Sequence, residues 1–419
     1  MKIYSGLQRV EEVVLNFSIF LFFSLFLVIP HAYSVAGILF LLTCFFSMPE
    51  WRNIYQDIRV RRFVWYFLCV AFFWSMSFDG WWAWNLDGDL PIKYFLAAVC
   101  IMGGCSIRIH PRMLIYSIAL GCIFSAGLAL IQFSDVEKAS GYTNAIRFGD
   151  ISLLMGMICW VFFAIRQFPI FERAFLAFAG CMGITASLLS LSRGGWFLLL
   201  VAPLVFCYGF YKEKLTKARL GIAVAAVVVV AVVGWMAAKD VPALNQRFAQ
   251  ATEQARGYFT DRGKYVNTSV GVRLEQWRMS WNLGLEKPIT GWGDHGVWEG
   301  RKQFVLRGKA DPSALHIAHT HNEFLEMWAR RGLIGVISLA LIYIVPFCIF
   351  IPLDKAVPEE KRTLYRSLHV AGMMVPVGYF IFGLSEVFFF LNIGNIFYIF
   401  SLILLFSAIK WIERDGGMQ

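Results

Sequence analysis

HIAHTHNEFLEMWARRGLIGVISLALIYIVPFCIFIP, residues 316–352, joins a polar segment holding three of the seven histidines to an apolar run that begins at Gly332. A helix needs about 20 consecutive apolar residues to cross a bilayer, and the run from Gly332 meets that length. Thr320 followed by Glu323 has capping-box spacing, in which the hydroxyl bonds an amide in the first turn and the carboxylate reaches back. This spacing predicts a helix that starts at Thr320, with His321 in its first turn. There the positive end of the helix dipole disfavours imidazolium, so a neutral His321 is able to accept a proton. The segment is therefore a candidate for a general base placed at a membrane surface.

Composition extends the membrane reading to the whole chain. Of 419 residues, 58% are hydrophobic and only 16% charged, and the mean hydropathy is +0.61. A soluble core does not need that much apolar sequence, so the fold class expected is an all-α polytopic membrane protein. The net charge of +10 is what loop lysines and arginines contribute in such a protein, and it does not call for a nucleic-acid partner. The nine cysteines lie in or beside apolar segments, which indicates neither a disulfide framework nor a cysteine metal site.

Twelve apolar runs are candidates for spans, near 13–30, 35–49, 63–78, 91–105, 113–133, 149–165, 174–190, 195–210, 220–238, 332–352, 367–387 and 392–410. With the N-terminus in the cytoplasm, the connections on that side carry 20 Lys and Arg, against four (Lys93, Lys138, Arg147, Arg193) in the short connections opposite. That asymmetry predicts an even number of spans with both termini cytoplasmic. Residues 1–238 then hold the first nine spans, 239–331 form one large periplasmic loop, and 332–419 hold the last three spans and a short tail, all as one integrated domain. Within the loop, Leu244, Phe248, Ala251 and Ala255 recur at helical spacing over 242–259, and a second helix is expected over 269–285, before Lys287-Pro288. Residues 300–312 are expected as a polar loop.

Several charged residues on the loop side are candidates for chemistry. Arg193, in Leu189-Ser190-Leu191-Ser192-Arg193-Gly194-Gly195-Trp196, lies at the outer end of a helical hairpin, against the charge asymmetry, so it should meet an anion. The competing reading is an arginine snorkelling to the interface. Arg273 and Arg278 on the second loop helix offer planar donor forks suited to phosphate, with a solvated helix face as the alternative. Glu386, the lone acid of the last two spans, is a functional-site candidate that could orient His321 or pair with an arginine. His316, His319 and His321 also resemble a metal triad by count. His319 and His321 are two residues apart, however, and no H-E-x-x-H arrangement accompanies them, so no metal or other cofactor is expected. The aromatics of residues 78–84 could stack on sugars or anchor at the interface.

Together these features resemble bacterial O-antigen ligases, within the wider O-antigen ligase/polymerase superfamily. The resemblance is carried by His319-Thr320-His321-Asn322-Glu323 leading into Gly332-Leu333-Ile334-Gly335, by Arg193, by Arg273 four residues before Trp277, and by Pro288-Ile289-Thr290-Gly291-Trp292-Gly293. It implies a GT-C-like membrane glycosyltransferase, inverting and metal-independent, in the bacterial inner membrane. Such an enzyme moves a glycan from undecaprenyl pyrophosphate to lipid A–core oligosaccharide on the periplasmic face. By the motif, His321 is the base and Arg193 and Arg273 hold the pyrophosphate; Glu386 stands where the family often has an aspartate and is expected to support them, and His319, Asn322 and Arg278 are expected to contact substrate. His316 is taken as peripheral.

Other functions remain open at this level. A polymerase of the same superfamily uses a second lipid-linked glycan as acceptor, and a protein O-oligosaccharyltransferase usually carries further C-terminal sequence than the stretch ending at Gln419. A polyprenyl-lipid flippase or transporter would account for the spans but not for the histidine segment, and no internal repeat supports it.

Overall fold

A computed structural model describes residues 2–75, 90–136, 138–211, 242–316, 318–353 and 357–415, and the regular structure among them is helical. The first half contains α1 (Lys2–Leu25), α2 (Ala32–Phe46), α3 (Ile58–Ser75), α4 (Leu90–Ser106) and α5 (Pro111–Val136). It continues with α6 (Ala145–Phe163), α7 (Ile170–Leu189) and α8 (Phe197–Tyr211). After residue 241 come α9 (Pro242–Thr260), α10 (Ser269–Glu286) and α11 (Gly296–Leu306), then α12 (Glu323–Ile349), α13 (Glu359–Phe382) and α14 (Asn392–Asp415). Five of them, α5, α6, α7, α12 and α14, are long and apolar enough to cross a membrane, and a sixth span arises if α2 and the short helix bent 57° from it count as one. The expected span at 220–238 and the aromatics at 78–84 lie outside the described residues.

Aromatic packing gathers the bundle around α14. Phe22 of α1 stacks on Phe400 at 4.8 Å, Phe63 of α3 meets Phe406 edge-on at 4.9 Å, and Tyr379 of α13 lies 4.8 Å from Tyr398. Lipid is as apolar as these side chains, so close van der Waals contact rather than water exclusion has to hold such helices together. The α6–α7 crossing shows the same device with small residues: a Cβ added to Gly183 would stand 2.7 Å from the Gly156 Cα. That crossing also fixes the position of α6, whose first turn enters the site described below.

The boundary at Gly332 is a physical break. Gly332 has φ 55° and ψ −144° inside α12, a conformation that a residue with a Cβ rarely adopts. A broken helix leaves backbone groups without partners, and residues 288–293 supply them. Leu333 N donates to Pro288 O at 2.8 Å and Ile334 N to Ile289 O at 3.3 Å, while Trp292 N and Gly293 N donate to Ala329 O and Arg330 O at 3.0 and 2.8 Å. The two glycine-bearing motifs, distant in sequence, are thus the two sides of one joint.

Two local expectations are corrected. The helix does not start at Thr320 and no capping box forms: Asn322 is the N-cap, its Oδ1 accepting from Leu325 N at 3.0 Å. The Glu323 carboxylate is drawn instead to the α13–α14 connection, where it accepts from Phe388 N at 2.6 Å and Phe389 N at 3.0 Å. Two buried amides outside the helix outcompete its own cap. Residues 300–312 are also not a polar loop throughout, because α11 runs to Leu306 and buries Val297 and Phe304 against Met279 and Leu283 of α10.

Candidate functional site: a buried acid held between two histidines and an arginine

Glu386 lies in the connection between α13 and α14 and is wholly buried, 0% exposed. A buried carboxylate is costly unless paired, and three side chains from two other segments converge on this one. His321 Nδ1 lies 2.9 Å from its Oε2, Arg147 Nη2 lies 3.2 Å from its Oε1, and His319 Nε2 lies 3.6 Å from the same Oε1. The two imidazoles stand edge to face, with ring centroids 4.5 Å apart.

Each member is placed by local structure. Arg147 falls in the first turn of α6 because the Asn144 side chain caps that helix, accepting from Arg147 N at 2.8 Å. His321 has φ 51°, a left-handed conformation uncommon for a residue with a Cβ, though one that histidine adopts more readily than most. The segment is held on both sides of the histidines. Arg301 Nη1 donates to Ala318 O at 2.8 Å, Thr320 N donates to Glu326 Oε2 at 2.8 Å, and Trp277 Nε1 donates to Thr320 O at 2.9 Å. Among the described residues three non-glycine residues have positive φ, namely His31, Leu191 and His321. His31 shares a cavity with Arg147 and Leu191 leads into Arg193, so the backbone strain gathers at this end of the bundle.

Arg193 arrives beside the acid through its turn. A Cβ on Gly194 would stand 1.9 Å from Ser385 Oγ, and one on Gly195 would stand 2.2 Å from Asp150 Oδ1. A side chain at either position would have to displace the Ser385 or Asp150 side chain, so the glycines permit this approach. The turn therefore wedges between Ser385, the neighbour of Glu386, and Asp150, one helical turn beyond Arg147. Asp150 is 0% exposed, and neither of its carboxylate oxygens has a hydrogen-bond partner among the described residues. His319 Nδ1 is buried and equally without one. Burial pushes the His319 imidazole below the ordinary histidine value, against the pull of the Glu386 carboxylate, so His319 favours its neutral form.

The other expected residues do not join this cluster. Arg273 is exposed on α10, one turn before Trp277 and on the same helix face, and it has no ion-pair partner among the described residues. Arg278 belongs to the loop helices: it pairs with the buried Glu275 at 3.0 Å, which also bonds Tyr258 and Arg262. Burial raises the Glu275 carboxyl, but the bonds from Arg278, Tyr258, Asp311 N and Arg262 outweigh it and bring it down to about 2. Asn322 is occupied as a helix cap and by a bond from its Nδ2 to Leu384 O at 3.2 Å. The side chain of His316 lies outside the described residues. Arg147 and Asp150 were missed in sequence, although Arg147 breaks the loop-charge asymmetry in the same way as Arg193.

Chemically, a carboxylate can only accept, so the 2.9 Å bond assigns the proton of His321 to Nδ1 and leaves Nε2 as the acceptor. That is the arrangement of a general base oriented by an acid. The ligand atoms of His319, His321 and Glu386 also lie within 4.8 Å of one another, which is a metal-sized group. The Arg147 guanidinium bonded to the same carboxylate opposes a cation there, since like charges a few ångströms apart repel strongly in a buried site.

An all-helical bundle with several membrane-length helices and a histidine–carboxylate–arginine cluster at one end defines a multi-pass membrane protein with a polar site at a bundle end. Residues 177–340 match the family model described as O-antigen ligase. The matched region contains Arg193, Arg273, His319 and His321; Arg147, Asp150 and Glu386 lie outside it, and Arg147 and Glu386 meet the two histidines only through tertiary contact. An uncharacterized protein from Haemophilus influenzae is similar over 403 residues at 26% identity, covering 94% of this chain and 97% of its own. The family supports a ligase- or polymerase-type role in O-antigen processing, with glycan–lipid substrates.

Proposed function

We propose that this protein is an inverting, metal-independent glycosyltransferase that ligates O-antigen from undecaprenyl pyrophosphate onto lipid A–core oligosaccharide. In this reading the chain has twelve spans and lies in the bacterial inner membrane with both termini cytoplasmic. Residues 239–331 form its periplasmic loop and the site faces the periplasm. The observation that carries the reaction is the His321 Nδ1–Glu386 contact of 2.9 Å, which leaves His321 Nε2 available to an acceptor hydroxyl. The hydroxyl oxygen attacks the anomeric carbon of the donor sugar while its proton passes to His321 Nε2. The bond from that carbon to the pyrophosphate oxygen breaks on the opposite face, and undecaprenyl pyrophosphate leaves as an anion. Arg193 and Arg273 neutralise the developing charge, as guanidinium donors suit phosphate oxygens. Arg147 holds Glu386 in place, and Glu386 stabilises the imidazolium that forms.

The test is transfer by purified protein from undecaprenyl-pyrophosphate glycan to lipid A–core, with and without chelator. His321→Ala is expected to lose about 10²–10⁴-fold, the usual contribution of a positioned base. Arg193→Ala and Arg273→Ala are expected to lose activity while the fold survives. Full activity of His321→Ala would refute the base, and inactivation by chelator would refute the metal-free reaction. Transfer only between two lipid-linked glycans would replace the ligase by a polymerase.

A further inference from the structure

The end of α6 opposite Arg147 carries a second site of different chemistry. A cavity of 1010 Å³ opens between α6, α8 and α13. At 1.5 Å of rise per residue, the 16 residues from Arg147 to Phe163 separate it from the Glu386 cluster by roughly 24 Å. Its walls are apolar, built from Met157, Leu199, Phe206 and Met374 among others. Its rim is cationic: Arg166, Arg173, Arg362 and Arg366 line it with a single acid, Glu359.

The rim is built rather than incidental. Arg173 Nε donates to Phe163 O at 3.0 Å, and its guanidinium lies 4.8 Å from the Phe163 ring. Arg366 Nη1 donates to Phe210 O at 2.8 Å, tying α13 to the end of α8. Arg166 N donates to Thr363 Oγ1 at 3.2 Å, and that hydroxyl bonds Gln167, so the α6–α7 connection is clamped to the first turns of α13. The result is an apolar trough rimmed by four arginines, of which Arg173 and Arg366 are fixed by backbone carbonyls and Arg166 and Arg362 are exposed. A soluble anion would use the rim and leave the trough empty, and an uncharged lipid would use the trough and not the positive charge of the rim. An amphiphile with a phosphate head uses both, because guanidinium forks match phosphate oxygens and the trough accepts a hydrocarbon chain.

We propose that this cavity binds an anionic glycerophospholipid, with its phosphate among Arg166, Arg362 and Arg366 and an acyl chain along the Met157–Phe206 wall. The proposal is independent of the transferase reading. Full-length protein in detergent is titrated with phosphatidylglycerol and with phosphatidylcholine of the same chains, and retained lipid and melting temperature are measured by native mass spectrometry and thermal denaturation. Phosphatidylglycerol should be retained at least about tenfold more strongly and should raise the melting temperature more. The double variant Arg166→Gln/Arg362→Gln, made at two exposed positions, should remove that preference while keeping the helical content of the parent. Equal retention of the two lipids by the parent protein overturns the proposal, as does a preference that persists in the variant. Glycerol phosphate competing as well as the lipid would overturn the role of the chain and leave an anion site only.

Discussion

Two clusters of buried charge flank the 318–322 segment, and they differ in how completely the protein answers them. On one side stand Arg301, Glu326, Arg330, Arg331 and the half-exposed Asp294. Glu326 accepts from Arg301, from Arg330 Nε at 2.6 Å and from Thr320 N, and Asp294 accepts from Arg330 and from Arg331 at 2.8 Å. Every carboxylate oxygen of this group has a protein partner. On the other side, neither Asp150 oxygen makes a side-chain hydrogen bond, the nearest backbone amide being that of Gly195, and His319 Nδ1 is buried without a partner among the described residues. The first cluster is a scaffold that holds the histidine segment in its left-handed turn. The second is where acceptors stand open, which is where a ligand's donors are needed. Both clusters keep buried guanidinium nitrogens without partners, Arg301 Nε and Arg331 Nε in the first and Arg147 Nε in the second, so burial does not separate scaffold from site and the difference lies in the acceptors.

Substitutions can break or sharpen this contrast. The largest effect is expected from Glu386→Gln, which keeps the shape but removes the charge that orients His321. Turnover should fall about 10²-fold or more with the melting temperature close to that of the parent. A loss confined to stability would make Glu386 a scaffold residue like Glu326. Next is Glu326→Gln, which leaves Arg301 and Arg330 buried without their anion and should cost about 3–5 kcal/mol in denaturant unfolding, as breaking a buried pair does. If it lowers turnover with unchanged stability, the division between the two clusters is wrong.

Smaller effects concern the joints. Asn322→Ala removes the cap of α12 and should cost about 1 kcal/mol, with the substrate KM unchanged; a rise in KM alone would return Asn322 to the substrate. The weakest is a pH effect in the loop helices. Glu275 is held at about 2 in the fold against an ordinary 4.5, so its stabilisation is present above pH 4.5 and is lost as pH falls toward 2. Acid melting followed by circular dichroism should show this loss in the parent and a flatter profile in Glu275→Gln.

Much of the site was legible in residue types, less in who touches whom. Arg193, Glu386 and His321 stood out because charge in apolar surroundings is costly, and the structure sets the Arg193 turn beside Ser385 and bonds Glu386 to His321. Arg147 and Asp150 carried the same signal in weaker form. They were passed over because nothing local shows that the first turn of α6 reaches a connection more than 200 residues away. The capping box at Thr320 failed for a related reason, since spacing along a helix cannot report that Phe388 N and Phe389 N compete for Glu323.

The sequence by itself determined the class: apolar runs of membrane length and the switch from polar to apolar at Gly332. These follow from local preferences and from the cost of placing polar groups in lipid, which each segment carries with it. Only the tertiary structure decided which acid faces which histidine, that Asn322 and not Thr320 caps α12, and that Arg278 is held by Glu275. Those outcomes are competitions between partners far apart in the chain, and they are settled by which buried group would otherwise be left without a hydrogen bond.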